Sequence, residues 1–418
     1  MREFNLWTLA LWHGFRVAQL LTIDELTPSQ RNRGLATLMA TSFFSWAGFF
    51  MVIPLMAVHY VDHLGWAAGT IGIILAVRQF AQQGLTSGFG VLADRVGPRI
   101  LIAIGMLLRA LGFAAMAFAD SFGTVLIAAL VVALGGAMFE APISAAIAAL
   151  TYPDERRRFF ARLGMIGGVG TTVGTQVGAL LIGYDFAIVC LGGAAAFFAV
   201  FVVVTLSMPS VAASVGGEDA PIGLRGVLRD TLFVRYVAIV AGYWFAWTQF
   251  GLTITLAAVA ITGSDRAVSW IYLVNAAVTV GLGYLLPRML ERWLSPLQMQ
   301  IAGIVGIGSG LLLVGVASGF IGVMFAAGVF AIGAVMARPG QETVLANLAR
   351  PSARGTYFGF AALALAVGGG LGNYLGGVIY DAGSNGSSAL PWIIFAAVAY
   401  ATAALLWINR DRFSVVRA

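Results

Sequence analysis

The stretch Gly90–Ile100, GVLADRVGPRI, places one aspartate and two arginines between two long apolar runs. A turn this short between segments this apolar reads as a loop at a membrane surface, and the rest of the chain agrees. Of the 418 residues, 60% are hydrophobic and only 10% are charged, whereas soluble domains carry about 25% charged residues. That difference moves the chain into the integral membrane class. All 24 basic residues are arginine, which excludes a Schiff base or a nucleotide-binding lysine. The net charge of +6 is informative through its distribution, and no nucleic-acid partner is expected. Cys190 stands alone in an apolar run, and His13, His59 and His63 show no ligand spacing, so neither a metal nor a cofactor is expected.

Apolar segments long enough to cross a bilayer recur near 35–61, 66–92, 98–119, 122–149, 157–183, 186–207, 233–261, 267–288, 297–318, 321–349, 355–380 and 389–409. These predict twelve transmembrane helices, an all-α membrane fold. Alternate loops carry Arg95 and Arg99, then Arg156, Arg157, Arg158 and Arg162, then Arg288 and Arg292, then Arg350 and Arg354. The other loops carry Asp62, Asp120, Asp185, Asp265 and Asp381, with Arg266 as their one arginine. Arginine enrichment marks the cytoplasmic side, so both termini are expected to be cytoplasmic. Residues 1–34 form an N-terminal extension that reads as an interfacial amphipathic helix or as a plain cytosolic segment. Residues 208–232 form a linker, which divides the spans into bundles over 35–207 and 233–410 and leaves a tail over 411–418.

The halves repeat each other at an offset near two hundred residues. Phe44-Ser45-Trp46 echoes Phe245-Ala246-Trp247, and Gly136-Ala137-Met138 with Pro142 echoes Gly333-Ala334-Val335 with Pro339. Tyr184-Asp185 echoes Tyr380-Asp381 in the same way.

Six spans, a linker, six more and GVLADRVGPRI between the second and third resemble the major facilitator superfamily, from about Leu35 onward. RQFAQQGL at Arg78–Leu85, GGAMFEAP at Gly135–Pro142 and RPGQE at Arg338–Glu342 are similar to its drug:proton antiporter branch. The resemblance implies two pseudo-symmetric six-helix bundles with spans one, four, seven and ten around a central cavity. It also turns the opening stretch into a gate motif of Gly90, Asp94, Arg95, Gly97 and Arg99. In it Gly90 permits close helix approach and Gly97 a tight turn. Asp94 is expected to rest on the positive N-terminus of span eleven near Gly355 when the cytoplasmic side is closed. Three departures stand out: Pro98 replaces a residue usually basic, span four lacks the branch's arginine, and span five lacks its glycine-proline step.

Charges at membrane depth are costly, about 2.5–3.5 kcal/mol each on insertion scales, and need a reason. Arg78 and Arg109 lie near the middle of spans two and three, Glu140 in span four, and Arg338 and Glu342 four apart in span ten. They are either structural ion pairs or a proton-coupling set in which a carboxylate changes protonation. Arginine stays charged, so Glu140 is the first candidate carrier and Glu342 the second. Arg78 or Arg109 is expected to pair with Glu140 in one conformation. Trp46, Phe50, Trp247 and Gln249 are the expected substrate contacts, since aromatic walls with few polar groups suit amphipathic ligands.

The function expected is secondary transport by a monomer in the inner membrane, exporting amphipathic or aromatic compounds in exchange for protons. A dedicated metabolite exporter or a proton symporter of the same fold is the alternative. With no nucleotide-binding loop and no Ser/His/Asp grouping, the chain is not expected to be an enzyme.

Overall fold

The computed structural model describes residues 21–211, 224–350, 354–383 and 389–414; within these the side chains of Asp94, Arg95, Arg157 and Arg354 are among the few outside the description. The described residues are almost all helical. The first half contains α1 (Pro28–Val58), α2 (Ala68–Val96), α3 (Pro98–Met116), α4 (Phe122–Leu150), α5 (Pro153–Leu181) and α6 (Phe186–Ser207). In the second half the seventh span is two helices, α7 (Thr231–Thr248) and α8 (Thr253–Thr262), followed by α9 (Arg266–Leu282) and the short α10 (Leu285–Leu290). Then come α11 (Pro296–Val316) and α12 (Gly319–Leu348). The eleventh span joins α13 (Arg354–Ala364) to α14 (Gly370–Ala382) through a widened turn at Leu365–Gly369, and α15 (Leu390–Ile408) closes the set.

Among the described residues nine helices are long and apolar enough to cross a membrane, and α9 is a shorter apolar one. With α2, which carries Arg78 and three glutamines in its middle, and α5, which opens on an arginine run, they supply the twelve spans of a multi-pass membrane protein.

Local chemistry explains where the helices start. α1 begins at Pro28 rather than at 35, because Thr27 accepts from the Gln30 N–H while the Gln30 side chain accepts from the Thr27 N–H. Such a reciprocal cap with proline in the first turn fixes a helix start firmly. Ser121 with Thr124, and Ser295 with Gln298, cap α4 and α11 in the same way. Gly97 has φ 81° between α2 and α3, the left-handed region expected of a tight turn. Pro142 and Pro339 sit inside α4 and α12 at matching places, so the repeat seen in sequence is a repeat of helix geometry.

The glycine stripe of α5 faces α1: a Cβ at Gly170, Gly174 or Gly178 would run into the backbone of Phe43, Ala47 or Met51. Small residues let helices meet backbone to backbone where no hydrophobic effect drives them together. That stripe therefore fastens helices within one half. The glycines of α14 do two things, since Gly372 meets Phe245 of the same half and Gly377 meets Ala68 of the other.

Candidate functional site

α2, α3 and α4 bring Arg78, Arg109 and Glu140 to one region of the first half. Both arginines are buried, 7% and 6% exposed. Two positive charges in so dry a place require compensation. Arg78 Nη1 donates to Gln82 Oε1 at 3.1 Å and Nη2 donates to Gln79 Oε1 at 3.2 Å. Gln82 Nε2 in turn donates to Glu140 Oε1 in a short contact. Arg78 and Gln82 lie four apart, so one face of α2 presents both to α4. The guanidinium of Arg109 lies 5.9, 5.6 and 5.4 Å from the ring centres of Phe49, Phe139 and Phe197, and that of Arg78 lies 5.3 Å from Phe49. Aromatic faces thus replace part of the hydration that the arginines lack.

Direct pairing of either arginine with Glu140 is not the arrangement here. Among the described residues no ion pair within 4.0 Å links them, and Gln82 stands between Arg78 and Glu140. Glu140 remains within electrostatic reach of both. The neutral amide conveys a hydrogen-bonded connection while leaving the carboxylate half-buried rather than locked in a bidentate pair. Gly136 makes the room, since a Cβ there would fall 2.5 Å from Gln82 Oε1 and 2.6 Å from Arg109 Nη2. The sequence reading missed Gln82, Gln79, Phe49 and Gly136. The i, i+4 spacing of Arg78 and Gln82 was the one signal that could have found the relay.

In the second half Arg338 Nε and Glu342 Oε1 pair at 3.2 Å along α12, with side chains 61% and 62% exposed. This pair stands in open space, unlike the buried array of the first half, and lies within electrostatic reach of Tyr243 on α7.

Trp46 stacks on Phe50, with ring centres 5.7 Å apart and planes 19° apart, and its indole packs over Gly167 of α5. Phe50 meets Tyr272 of α9 at 5.9 Å, an aromatic contact across the halves. Trp247 is half-buried and meets Trp244 edge-on at 5.5 Å. Gln249 corrects the expectation. It is fully buried, with Nε2 donating to the carbonyls of Phe245 and Gly372 and Oε1 accepting from Thr253, each near 3 Å. Both of its amide hydrogens are used to bridge the break between α7 and α8 and to hold α14, and at 0% exposure it presents no group to a substrate.

Of the gate motif, Gly90 faces α4, where a Cβ added to it would fall 3.3 Å from the Ala141 methyl, and Arg99 holds the end of α6 through the Thr205 carbonyl and Ser210. The side chains of Asp94 and Arg95, and with them the expected contact near Gly355, lie outside the description.

The polar contacts between halves are unevenly placed. Among the described residues, those that cross are His63 with Asp265, the Ala68 and Gly69 N–H groups with Asp381, and Gln176 with the Ser269 carbonyl. All lie toward the aspartate-rich ends. At the arginine-rich ends, Arg31 with Glu155, Arg99 with Thr205 and Asp230 with Tyr357 each stay within one half. Among the described residues, the polar contacts between halves thus cluster at the aspartate-rich face.

The Major Facilitator Superfamily model matches residues 38–372. A protein of Aeromonas hydrophila subsp. hydrophila called multidrug resistance protein MdtH is 38% identical over 360 residues, covering 86% of this chain and 91% of that one. Its Klebsiella pneumoniae namesake is 37% identical over 378 residues, covering 90% and 94%. The crystal structure of nucleoside transporter NupG shares the fold at a TM-score of 0.76 and 15% identity, covering 90% of this chain and 99% of that one.

Proposed function

This chain belongs to the major facilitator superfamily, and from that premise we propose that it is a proton-coupled antiporter exporting amphipathic or aromatic compounds by alternating access. The similarity to proteins named for multidrug resistance supports the substrate class. The observation that carries the proposal is the buried array of Arg78, Gln82 and Glu140 beside Arg109.

In this array the arginines are fixed charges and Glu140 is the one group able to exchange a proton. With Glu140 ionised, the three charged side chains sum to one positive charge; with it protonated they sum to two. An arriving cation is therefore tolerated only beside the ionised carboxylate, and protonation repels it. Substrate and proton thus compete, which is what exchange requires. Trp46, Phe50 and Trp247 supply the aromatic wall. The bundles of residues 35–207 and 233–410 rock against each other about a midplane site. Arginine enrichment supports reading the arginine-rich face and both termini as cytoplasmic, in a chain that works as a monomer in the inner membrane.

Proteoliposomes with an imposed pH gradient and a cationic aromatic dye test this. The dye should accumulate on the acidic side in exchange for protons. Dye entering together with protons, or movement indifferent to the gradient, contradicts antiport.

A further inference from the structure

The Tyr-Asp pair repeated in the two halves does different work in each. Asp185, four residues past the end of α5, caps the start of α6 in its own half, accepting from the Ala187 N–H at 2.9 Å. Asp381, at the matching place on α14, instead reaches the other half. Its Oδ1 accepts from the Ala68 N–H at 2.9 Å and its Oδ2 from the Gly69 N–H at 2.8 Å. Those are the first two N–H groups of α2, which no side chain of its own half caps: Ala67 stands at the cap position, and its methyl group cannot accept a hydrogen bond.

We propose that Asp381 is the residue that positions the aspartate-rich face in its closed state, acting as a carboxylate cap lent by the second half to a helix of the first. This rests on the reading of the chain as an alternating-access transporter. Both oxygens of a carboxylate on two N–H groups at the positive end of a long helix make a charge-assisted, two-point contact. The backbones around it leave no space for a looser fit: a Cβ at Gly377 would run into the Ala68 carbonyl, and one at Gly72 into the Asn373 carbonyl. When the face opens, the two N–H groups go to water and the carboxylate loses its partners. The contact therefore exists in one state only, which is the condition for biasing an equilibrium. The other cross-half contacts nearby are weaker versions: His63 and Asp265, 3.1 Å apart, are 50% and 31% exposed, and Gln176 is neutral.

The contact can be cut from either side. Asp381→Asn removes the charge and one acceptor. Ala68→Pro removes a donor while keeping the helix, because proline is favoured at the first helical position. Ala67 before it is already extended, at φ −62° and ψ 138°, as a residue preceding proline needs. Spin labels on Leu64→Cys and Ser264→Cys, in a Cys190→Ser background in nanodiscs, report the width of this face. A second pair at Ser144→Cys and Thr343→Cys reports the opposite face.

Each single variant should raise the ratio of wide to narrow forms at the first pair on the order of tenfold. The double variant should go little further, because both remove one interaction. The second pair should shorten in step. An unchanged first pair in both single variants, fully additive effects, or widening at one face without shortening at the other overturns the assignment. The distances are read without substrate, so a failure of the wild-type protein to exchange dye for protons would overturn antiport and leave the latch standing.

Discussion

Gln82 of α2 donates its amide N–H to the carboxylate of Glu140 on α4, and accepts through its amide oxygen from Arg78 at 3.1 Å. One neutral side chain thus connects a permanent cation to the acid beside it. Gln82→Leu should leave buried hydrogen-bonding groups on both sides without partners, at about 1–3 kcal/mol for each group. A lowered melting temperature together with exchange reduced at least roughly tenfold, a barrier change of about 1.4 kcal/mol, is the expected outcome in a paired melting and transport assay. Wild-type exchange in a well-folded Gln82→Leu would remove the relay from the mechanism.

Space around the array gives a second prediction. Gly136→Ala places a Cβ within 2.6 Å of both Gln82 and Arg109, and overpacking of this kind costs about 1–3 kcal/mol. Gly123→Ala, at the start of the same helix with nothing within 4 Å, is the control and should stay within about 0.5 kcal/mol of wild type. Thermal unfolding in detergent compares the two directly.

The two carboxylates should differ. The Arg338–Glu342 pair is more than half exposed, and exposed pairs contribute about 0–1 kcal/mol. Glu342→Gln is expected to fold normally and to keep its proton dependence, which a pH series of dye exchange would read. Loss of that dependence would move the carrier from Glu140 to Glu342.

Trp46 and Gln249 should separate binding from architecture. Trp46→Ala, at a side chain 44% exposed, should weaken aromatic dyes about tenfold, comparable with losing an aromatic stacking contact, with little change in melting. Gln249→Leu orphans the Phe245 and Gly372 carbonyls and should lower stability by about 2–3 kcal/mol without altering the order of preferred dyes. Dye titration by fluorescence, beside melting curves, distinguishes the cases.

The spans and the internal repeat were legible because bilayer thickness and helix geometry leave few alternatives, and the helices fall where the apolar runs do. The sides of Arg78, Arg109 and Glu140 were legible too, since charges at membrane depth are rare. What stayed hidden depends on the third dimension. Glutamine at 82 looks like any polar residue until α4 is placed opposite it. Gln249 looked like a cavity residue because the resemblance sets its span beside a central cavity, and only the break at Leu252 and the backbone of Gly372 show it turned inward. The glycines of α5 and α14 gave the same pattern in sequence, yet one set packs within a half and the other both packs within its half and reaches across.

Competition between proton and substrate at Glu140 is the central claim, and proton release on binding tests it most directly. In weakly buffered detergent solution, adding a cationic dye to protein poised near the midpoint of its proton dependence, where the carboxyl is half protonated, should release close to half a proton per dye at saturation in wild type. Glu140→Gln should bind without measurable release. Equal release from both proteins would contradict the account.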